Sequence, residues 1–426
     1  MKIQKILKRL LQLHPKSIDL SLHRIKRLLE DLNNPEKKIN NPIQVVGTNG
    51  KHSFCSSLKE IFETANYKVN MNTSPSLRKF NERYYLLGKH ISDESLIELL
   101  IEVEKINDGK TITFHEFISA CFFLAASRNK SDVNIIESGL FFRLDASNVL
   151  KKNIASVIMP IGIDHKDFLK KGTIDEIVYE KCSHLLGKSK IFVADQKNYI
   201  LQKIKKYIRQ NSSEKIIFGE NYSYKKNNRS FIYKDEFGEI NLPLPNLKGD
   251  FQISNVSTAI SVARKLDQFK IRNNHIKKAI LQIKSEGRLQ EIKKGKLRNY
   301  VSPNNQILID GAHNTLGASV IEKYLKNLNS KRKIVMILGM MASKEHEKFI
   351  KIFKNRVHSI VTLNIPNQEN IIKKEKLTKI IRSCGIPSKT ENSIKSALKN
   401  ISKENNNAII FCTGSLYFAG EILNLN

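Results

Sequence analysis

Short runs of apolar and β-branched residues recur along the chain, and between them apolar residues fall three or four positions apart. The runs predict strands over residues 43–46, 133–136, 155–159, 190–193, 215–218, 306–309, 333–338, 359–363 and 408–412. Strands alternating with helical segments predict an α/β protein with parallel sheets built from β-α-β units. In such sheets ligands bind beyond the carboxyl ends of the strands. Polar clusters fall there, at residues 47–53, 137–148, 162–167, 310–314 and 413–415. That regularity predicts one active site assembled from strand-end loops. Residues 221–245 differ, with polar and aromatic alternation and a Phe237-Gly238 turn, and predict a hairpin at the edge of the first domain. The pattern breaks near 285–288, so the expected domains are 1–284 and 285–426. Residues 1–13 carry Ile3, Ile6, Leu7, Leu10 and Leu11 on one face, which predicts a packed N-terminal helix.

A chain of 426 residues exceeds one ordinary core, in keeping with two domains. The hydrophobic fraction of 40% and charged fraction of 27% exclude disordered and fibrous classes. No apolar run approaches the roughly 18 residues needed to span a bilayer. The net charge of +31 admits nucleic acid, an anionic surface or polyanionic substrates. The lysines are dispersed without a basic-aromatic strip, which favours a composition bias. Cys55, Cys121, Cys182, Cys384 and Cys412 form no C-x-x-C pair and read as reduced thiols of a cytoplasmic protein.

Three clusters carry chemistry. Gly47-Thr48-Asn49-Gly50-Lys51-His52-Ser53 follows a strand and precedes a helix. Glycines admit a phosphate to the backbone, amides at a helix start point at it, and Lys51 would reach the outer phosphates. Val45 and His52 depart from the strict phosphate-loop pattern, so a plain strand-to-helix turn is the alternative. Glu137 and His165 stand at strand ends and together suit a Mg²⁺ ion bridging phosphate oxygens; each alone is more often structural. In the second half, Gly287-Arg288-Leu289 and Asp310-Gly311-Ala312-His313-Asn314 suit ribose, phosphate or amino-acid recognition, or else a turn with an Asn cap.

Taken in order, these segments resemble the folylpolyglutamate synthase/dihydrofolate synthase family of the Mur ligase superfamily. Residues 47–53 are similar to its Gly-Thr-Asn-Gly-Lys-Gly-Ser loop. Thr73-Ser74-Pro75-Ser76-Leu77 with Phe80-Asn81-Glu82-Arg83, residues 137–148, 161–167 and Glu180-Lys181-Cys182-Ser183 are similar to further family segments. Gly287-Arg288-Leu289, residues 310–314, Gly339-Met340 and Thr413-Gly414-Ser415-Leu416-Tyr417 extend the resemblance to nearly the whole chain. Five departures are plain. Ser76 replaces the histidine after Ser-Pro, and Asp250-Phe251 replaces the family's usual histidine before Gln252. His52 replaces a glycine, Phe141-Phe142 replaces Gly-Gly at a turn where positive φ is expected, and residues 113–117 match the pterin-side segment in part.

The resemblance implies a fold: an N-terminal phosphate-loop Mur ligase central domain with a parallel-rich sheet, then a smaller Rossmann-like C-terminal domain. It implies an ATP-dependent ligase that adds L-glutamate to dihydropteroate or to folate polyglutamates through an acyl phosphate. A folylpolyglutamate synthase alone is the first alternative, and a phosphate-loop nucleic-acid-binding protein a distant one. ATP and Mg²⁺, at two sites, are the implied cofactors. Gly47, Thr48, Asn49, Gly50, Lys51 and Ser53, with Asn255, Arg288 and Asp310, would bind the nucleotide. Ser74, Glu137 and His165 would hold the metal, and Lys181 matches a lysine carbamylated in the superfamily. Lys51, Lys181 and His313 carry the implied catalytic roles; Arg83, Arg143, His313 and Ser415 would bind substrates. The expected protein is a cytoplasmic monomer acting on small molecules, with neither nucleic acid nor membrane as partner.

Overall fold

The computed structural model describes residues 2–16, 19–328 and 331–426. The chain forms two compact units. The first comprises the chain as far as Ile161 with Thr173–Asn246 and Gln252–Lys284. The second comprises Gly162–Gly172, Leu247–Phe251 and Ser285–Asn426. Two short segments before residue 285 thus belong to the C-terminal unit, which a boundary drawn along the sequence does not convey.

The first unit is built on an eight-stranded sheet of order β4-β3-β2-β5-β1-β6-β7-β8. Its strands are β1 (Pro42–Val46), β2 (Val69–Asn72), β3 (Tyr84–Leu86), β4 (Lys89–His90), β5 (Val133–Glu137), β6 (Ala155–Ile158), β7 (Lys190–Val193) and β8 (Glu214–Ile217). From β2 across to β8 neighbours are parallel, and the β2–β3 and β3–β4 pairs are antiparallel. All residues of β1, β5 and β6 are buried, the signature of strands covered on both faces. The sequence pattern locates β1 and β5–β8 but misses β2, β3 and β4. Those strands are short and carry Asn70, Asn72 and Lys89, which break the apolar run.

A core of Leu28, Leu100, Phe117, Phe122 and their neighbours lies under the helices of this unit. The N-terminal helix Lys2–Leu10 joins it through buried Ile6 and Leu10, as its amphipathic pattern predicts. The segment read as a hairpin is a three-stranded antiparallel meander: β9 (Tyr222–Lys226), β10 (Ser230–Asp235) and β11 (Gly238–Pro243). The Phe237-Gly238 turn is where expected, with Gly238 at φ +98. The missed first turn, at Asn227–Arg229, lacks glycine and proline and gives little signal.

The second unit has a six-stranded sheet of order β12-β13-β17-β14-β15-β16. Its strands are β12 (Gln290–Glu291), β13 (Gln306–Ile309), β14 (Ile334–Leu338), β15 (Ser359–Thr362), β16 (Ser388–Thr390) and β17 (Ile409–Thr413). All pairs are parallel except β12–β13. Leu308, Met336, Leu338, Phe349 and Phe411 centre its own core.

Candidate active site

In the first unit β1 lies between β5 and β6, so the turn after β1 opens between two strand ends. Gly47 has φ +149, and a Cβ there would stand 2.7 Å from that of Met159. Gly50 has φ +81 and caps the helix Lys51–Thr64 in a left-handed conformation. A Cβ on Gly50 would lie 2.6 Å from Asn255 Oδ1. Both glycines are therefore required by close approach, and Asn255 is brought against the turn. The amides of Thr48 and Asn49 donate to Pro160 O at 2.9 and 3.1 Å. His52, in place of the family's glycine, lies inside the helix at ordinary negative φ. A side chain is admitted there without backbone strain.

Lys51 Nζ donates to Gly47 O at 3.2 Å and stands 3.7 Å from Glu137 Oε1. Glu137, at the end of β5, is 4% exposed. Ser53 faces inward from the same helix at 2% exposure. Lys181, in the helix Ile174–Cys182, is also buried, and its Nζ donates to Gly47 O at 2.9 Å. Burial pushes the Cys55 thiol well up, with the Glu137 charge adding to it, so Cys55 acts as a packed small side chain. Ser74 follows β2 and precedes a cis proline, Pro75.

Two family segments turn out to be architectural. The Glu82 carboxylate accepts the backbone amides of Leu77 at 2.7 Å, Arg78 at 3.1 Å and Lys79 at 2.9 Å, tying down the loop after Ser74. Asn81 Nδ2 donates to Ile91 O and Asp93 Oδ1, both at 2.9 Å. Arg83 follows them and lies over the Phe80 ring at 5.2 Å. The loop after Glu137 is organised by buried Asp145, which accepts from Gly139 N, Leu140 N, Ser147 N and Ser147 Oγ. His115 Nε2 stands 3.3 Å from the same carboxylate, in space that a Cβ on Gly139 would fill. Burial acts to raise the Asp145 carboxyl, but His115 and these hydrogen bonds hold it below its ordinary value. Arg143 is paired with Glu180, its Nε and Nη2 at 3.0 and 2.9 Å from Oε1, and lies over Tyr179.

Phe141 has φ +58, where a bulky side chain costs about 1–2 kcal/mol. The Gly-to-Phe replacement at 141 therefore keeps the positive φ expected of that turn. Its ring is 3% exposed, with its centroid 5.6 Å from Lys181 Nζ.

The second unit gathers its candidates around Asp164. Asp164 accepts from Lys344 Nζ at 2.6 Å and Asn314 Nδ2 at 2.9 Å, and lies 3.2 Å from His313 Nε2. Burial acts to raise its carboxyl, but His313, His165 and Lys344 hold it well below the ordinary carboxylate range. His165, at φ +54, belongs to this unit through the 162–172 segment. Asp310 accepts from Leu289 N at 2.9 Å and Ala312 N at 2.8 Å, and burial raises its carboxyl despite Arg288 nearby. Asn314 caps the helix Thr315–Asn327 through Gly317 N, so the cap reading and the site reading both apply to it. Ser415 caps the helix Leu416–Leu425, accepting from Tyr417 N. Sequence reasoning passed over Asp164, Lys344, His115 and Asp145. Only the strand-end position of Asp164 marks it beforehand.

A glycine turn after a buried parallel strand, a lysine on it and a buried strand-end glutamate are the arrangement of a nucleotide-binding α/β fold. Residues 45–263 match the Mur ligase middle domain, and residues 293–425 match the dihydrofolate synthetase C-terminal domain. The dihydrofolate synthase/folylpolyglutamate synthase of Buchnera aphidicola from Acyrthosiphon pisum is 30% identical, the match covering 89% of this chain and 88% of that one. The dihydrofolate synthetase of Saccharomyces cerevisiae is 26% identical over 96% and 98% of the two chains. Escherichia coli FolC in complex with DHPP and ADP has the same fold, with TM-score 0.87, 22% identity and coverage of 99% and 97%. The chain belongs to the dihydrofolate synthase/folylpolyglutamate synthase family.

Proposed function

We propose that the protein is an ATP-dependent amide ligase that joins L-glutamate to dihydropteroate and to reduced folate glutamates. The observation that carries this is the turn 47–50, whose two glycines are sterically obligatory and whose lysine is held beside Glu137. Family membership supplies the substrate class. The dihydrofolate synthetase match of residues 293–425 supports including dihydropteroate among the acceptors. Residues 1–284 and 285–426 act as the nucleotide and glutamate domains. The enzyme works as a cytoplasmic monomer without nucleic-acid partners. The described cysteines are all buried and unpaired, which suits a reducing compartment, and among the described residues no helix is long and apolar enough to cross a membrane.

In this reading Gly47, Thr48, Asn49, Gly50, Lys51 and Ser53 cradle the ATP phosphates with Asn255 behind the turn. Arg288 and Asp310 are the second unit's nucleotide-binding candidates. Lys51, held by a carbonyl and a carboxylate, moves onto the γ-phosphate as the acceptor carboxylate attacks it. Phosphoryl transfer of this kind depends on positioning and charge neutralisation more than on covalent help from the protein. Further neutralisation is the chemistry Mg²⁺ supplies when bound; Ser74 and Glu137 would hold it in the first unit, and His165 is the candidate metal ligand of the second. Glu137, a buried carboxylate at a strand end, is the kind of oxygen donor a hard cation takes. The glutamate amine then attacks the acyl phosphate, with His313 and Ser415 orienting the amino acid and Arg83 and Arg143 serving the anionic acceptor.

The test is phosphate release from MgATP and L-glutamate with dihydropteroate, with tetrahydrofolate and with no acceptor. Release with both acceptors is expected. Release with tetrahydrofolate alone would reduce the function to polyglutamylation, and no acceptor-dependent release from folded protein would refute the ligase.

A further inference from the structure

The strand β1 is buried along its whole length, yet one of its five residues is an amide, Gln44, at 0% exposure. A buried amide costs free energy unless its polar atoms are hydrogen-bonded. Gln44 Nε2 donates to Ser147 O at 2.9 Å, and Gln44 Oε1 accepts from Asn153 Nδ2 at 2.8 Å. A carbonyl only accepts, so Ser147 O fixes which way the Gln44 amide lies. Asn153 Nδ2 also donates to Ser156 Oγ at 2.8 Å, and Ser156 is the register partner of Gln44 on β6.

Ser147 closes the loop that follows Glu137. Its Oγ donates to the Asp145 carboxylate at 2.6 Å. That hydroxyl has no second hydrogen, so Ser138 Oγ is the donor in its 3.0 Å contact with Ser147 Oγ. Ser138 comes directly after Glu137, and its amide donates to Val45 O at 2.9 Å. The start and the end of the loop are thereby clasped to each other, and Gln44 ties the clasp to β1. The same strand leads into the turn 47–50, and its Val45 is the register partner of Glu137.

We infer that Gln44 is a positioning residue for the metal carboxylate: through Ser147 it holds the loop after Glu137 to β1, so that Glu137 and the phosphate turn keep a fixed register. The inference rests on the reading of Glu137 as a ligand of the cation.

Gln44→Met keeps length and bulk and removes both amide bonds. Ser138→Ala opens the clasp from the other side at the cost of one hydroxyl, and decides alone should Gln44→Met not fold. Tyr222→Phe is the control, since it removes a buried hydroxyl of the same unit that is bonded to Val193 O and Thr258 Oγ1, both at 3.1 Å. Mn²⁺ alone is titrated into each protein, with the free ion read by electron paramagnetic resonance and urea midpoints measured alongside. Gln44→Met should weaken Mn²⁺ binding about ten-fold and Ser138→Ala about three-fold, and the double variant should lose less than the product of the two. Tyr222→Phe should lose stability while holding Mn²⁺ within about two-fold of the native affinity. Native affinity in folded Gln44→Met overturns the inference, as does an equal loss in Tyr222→Phe, which would be a general effect of destabilisation. Glu137→Gln separates the inference from the reading beneath it. If the native protein takes up no Mn²⁺, or Glu137→Gln binds it equally well, the metal reading and this inference both fall. If Glu137→Gln loses Mn²⁺ while Gln44→Met and Ser138→Ala keep it, only the Gln44 inference falls.

Discussion

Asp145→Asn tests whether the loop after Glu137 is held by one carboxylate. Oδ2 accepts the amides of Gly139 at 3.1 Å and Leu140 at 2.9 Å, while Oδ1 accepts Ser147 N at 2.9 Å and Ser147 Oγ at 2.6 Å. An asparagine has one acceptor oxygen, so whichever way it turns, its NH₂ meets N–H donors on the other side. At least one buried amide loses its acceptor, and each such loss costs about 1–3 kcal/mol. The expected loss is about 2–4 kcal/mol, read as a fall in urea midpoint at constant slope. His115→Ala removes only a 3.3 Å contact from a partly exposed ring and should cost under about 1 kcal/mol. The sign of the pH dependence follows from the depressed Asp145 carboxyl. Its contribution is complete above the unfolded value of about 3.9 and is lost as pH falls through the lower folded value. The gap between native protein and Asp145→Asn should therefore narrow in acid. An Asp145→Asn protein within about 0.5 kcal/mol of the native one at neutral pH would refute this account of the loop.

Glu137→Ala should nearly abolish phosphate release while leaving the fold intact by circular dichroism; near-normal kcat would remove Glu137 from the site. Gly50→Ala and Gly88→Ala impose similar left-handed strain, at φ +81 and +94, but only the first drives a Cβ against Asn255. Both should lose about 1–2 kcal/mol of stability, and only Gly50→Ala should also raise the KM for ATP. Equal KM values for the two variants would dismiss the steric argument.

The strands β1, β5, β6, β13, β14 and β17 could be read from the chain because burial on both faces demands mostly apolar, β-branched runs, and a strand-end rule then pointed to Lys51, Glu137 and Asp310. The partners of those residues could not be read. Lys181 reaches Gly47 across 134 positions and Asn314 reaches Asp164 across 150, separations for which a single sequence carries no period. The roles of Asn81 and Glu82 were hidden differently. Glu82 is taken up by backbone amides, and Asn81 by Ile91 O and the Asp93 carboxylate. Polar residues in loops serve the backbone as readily as a ligand, and composition does not distinguish the two uses.

Two of the positions where this chain departs from its family's glycines behave oppositely, and the backbone explains why. At 141 the conformation is left-handed, so phenylalanine is strained and persists through what its ring contacts. At 52 the residue is helical, so glycine has no conformational advantage there. His52→Gly should consequently destabilise the protein, by up to about 1 kcal/mol, through loss of helix propensity at the start of Lys51–Thr64. Nucleotide affinity should stay within about two-fold, because the cradle is formed by Gly47 and Gly50 rather than by position 52. Paired measurement of urea midpoint and ATP affinity decides the matter. A His52→Gly protein that binds ATP ten times more tightly, which is about 1.4 kcal/mol, would mean that the imidazole obstructs the phosphate loop and that helical geometry alone does not make the substitution harmless.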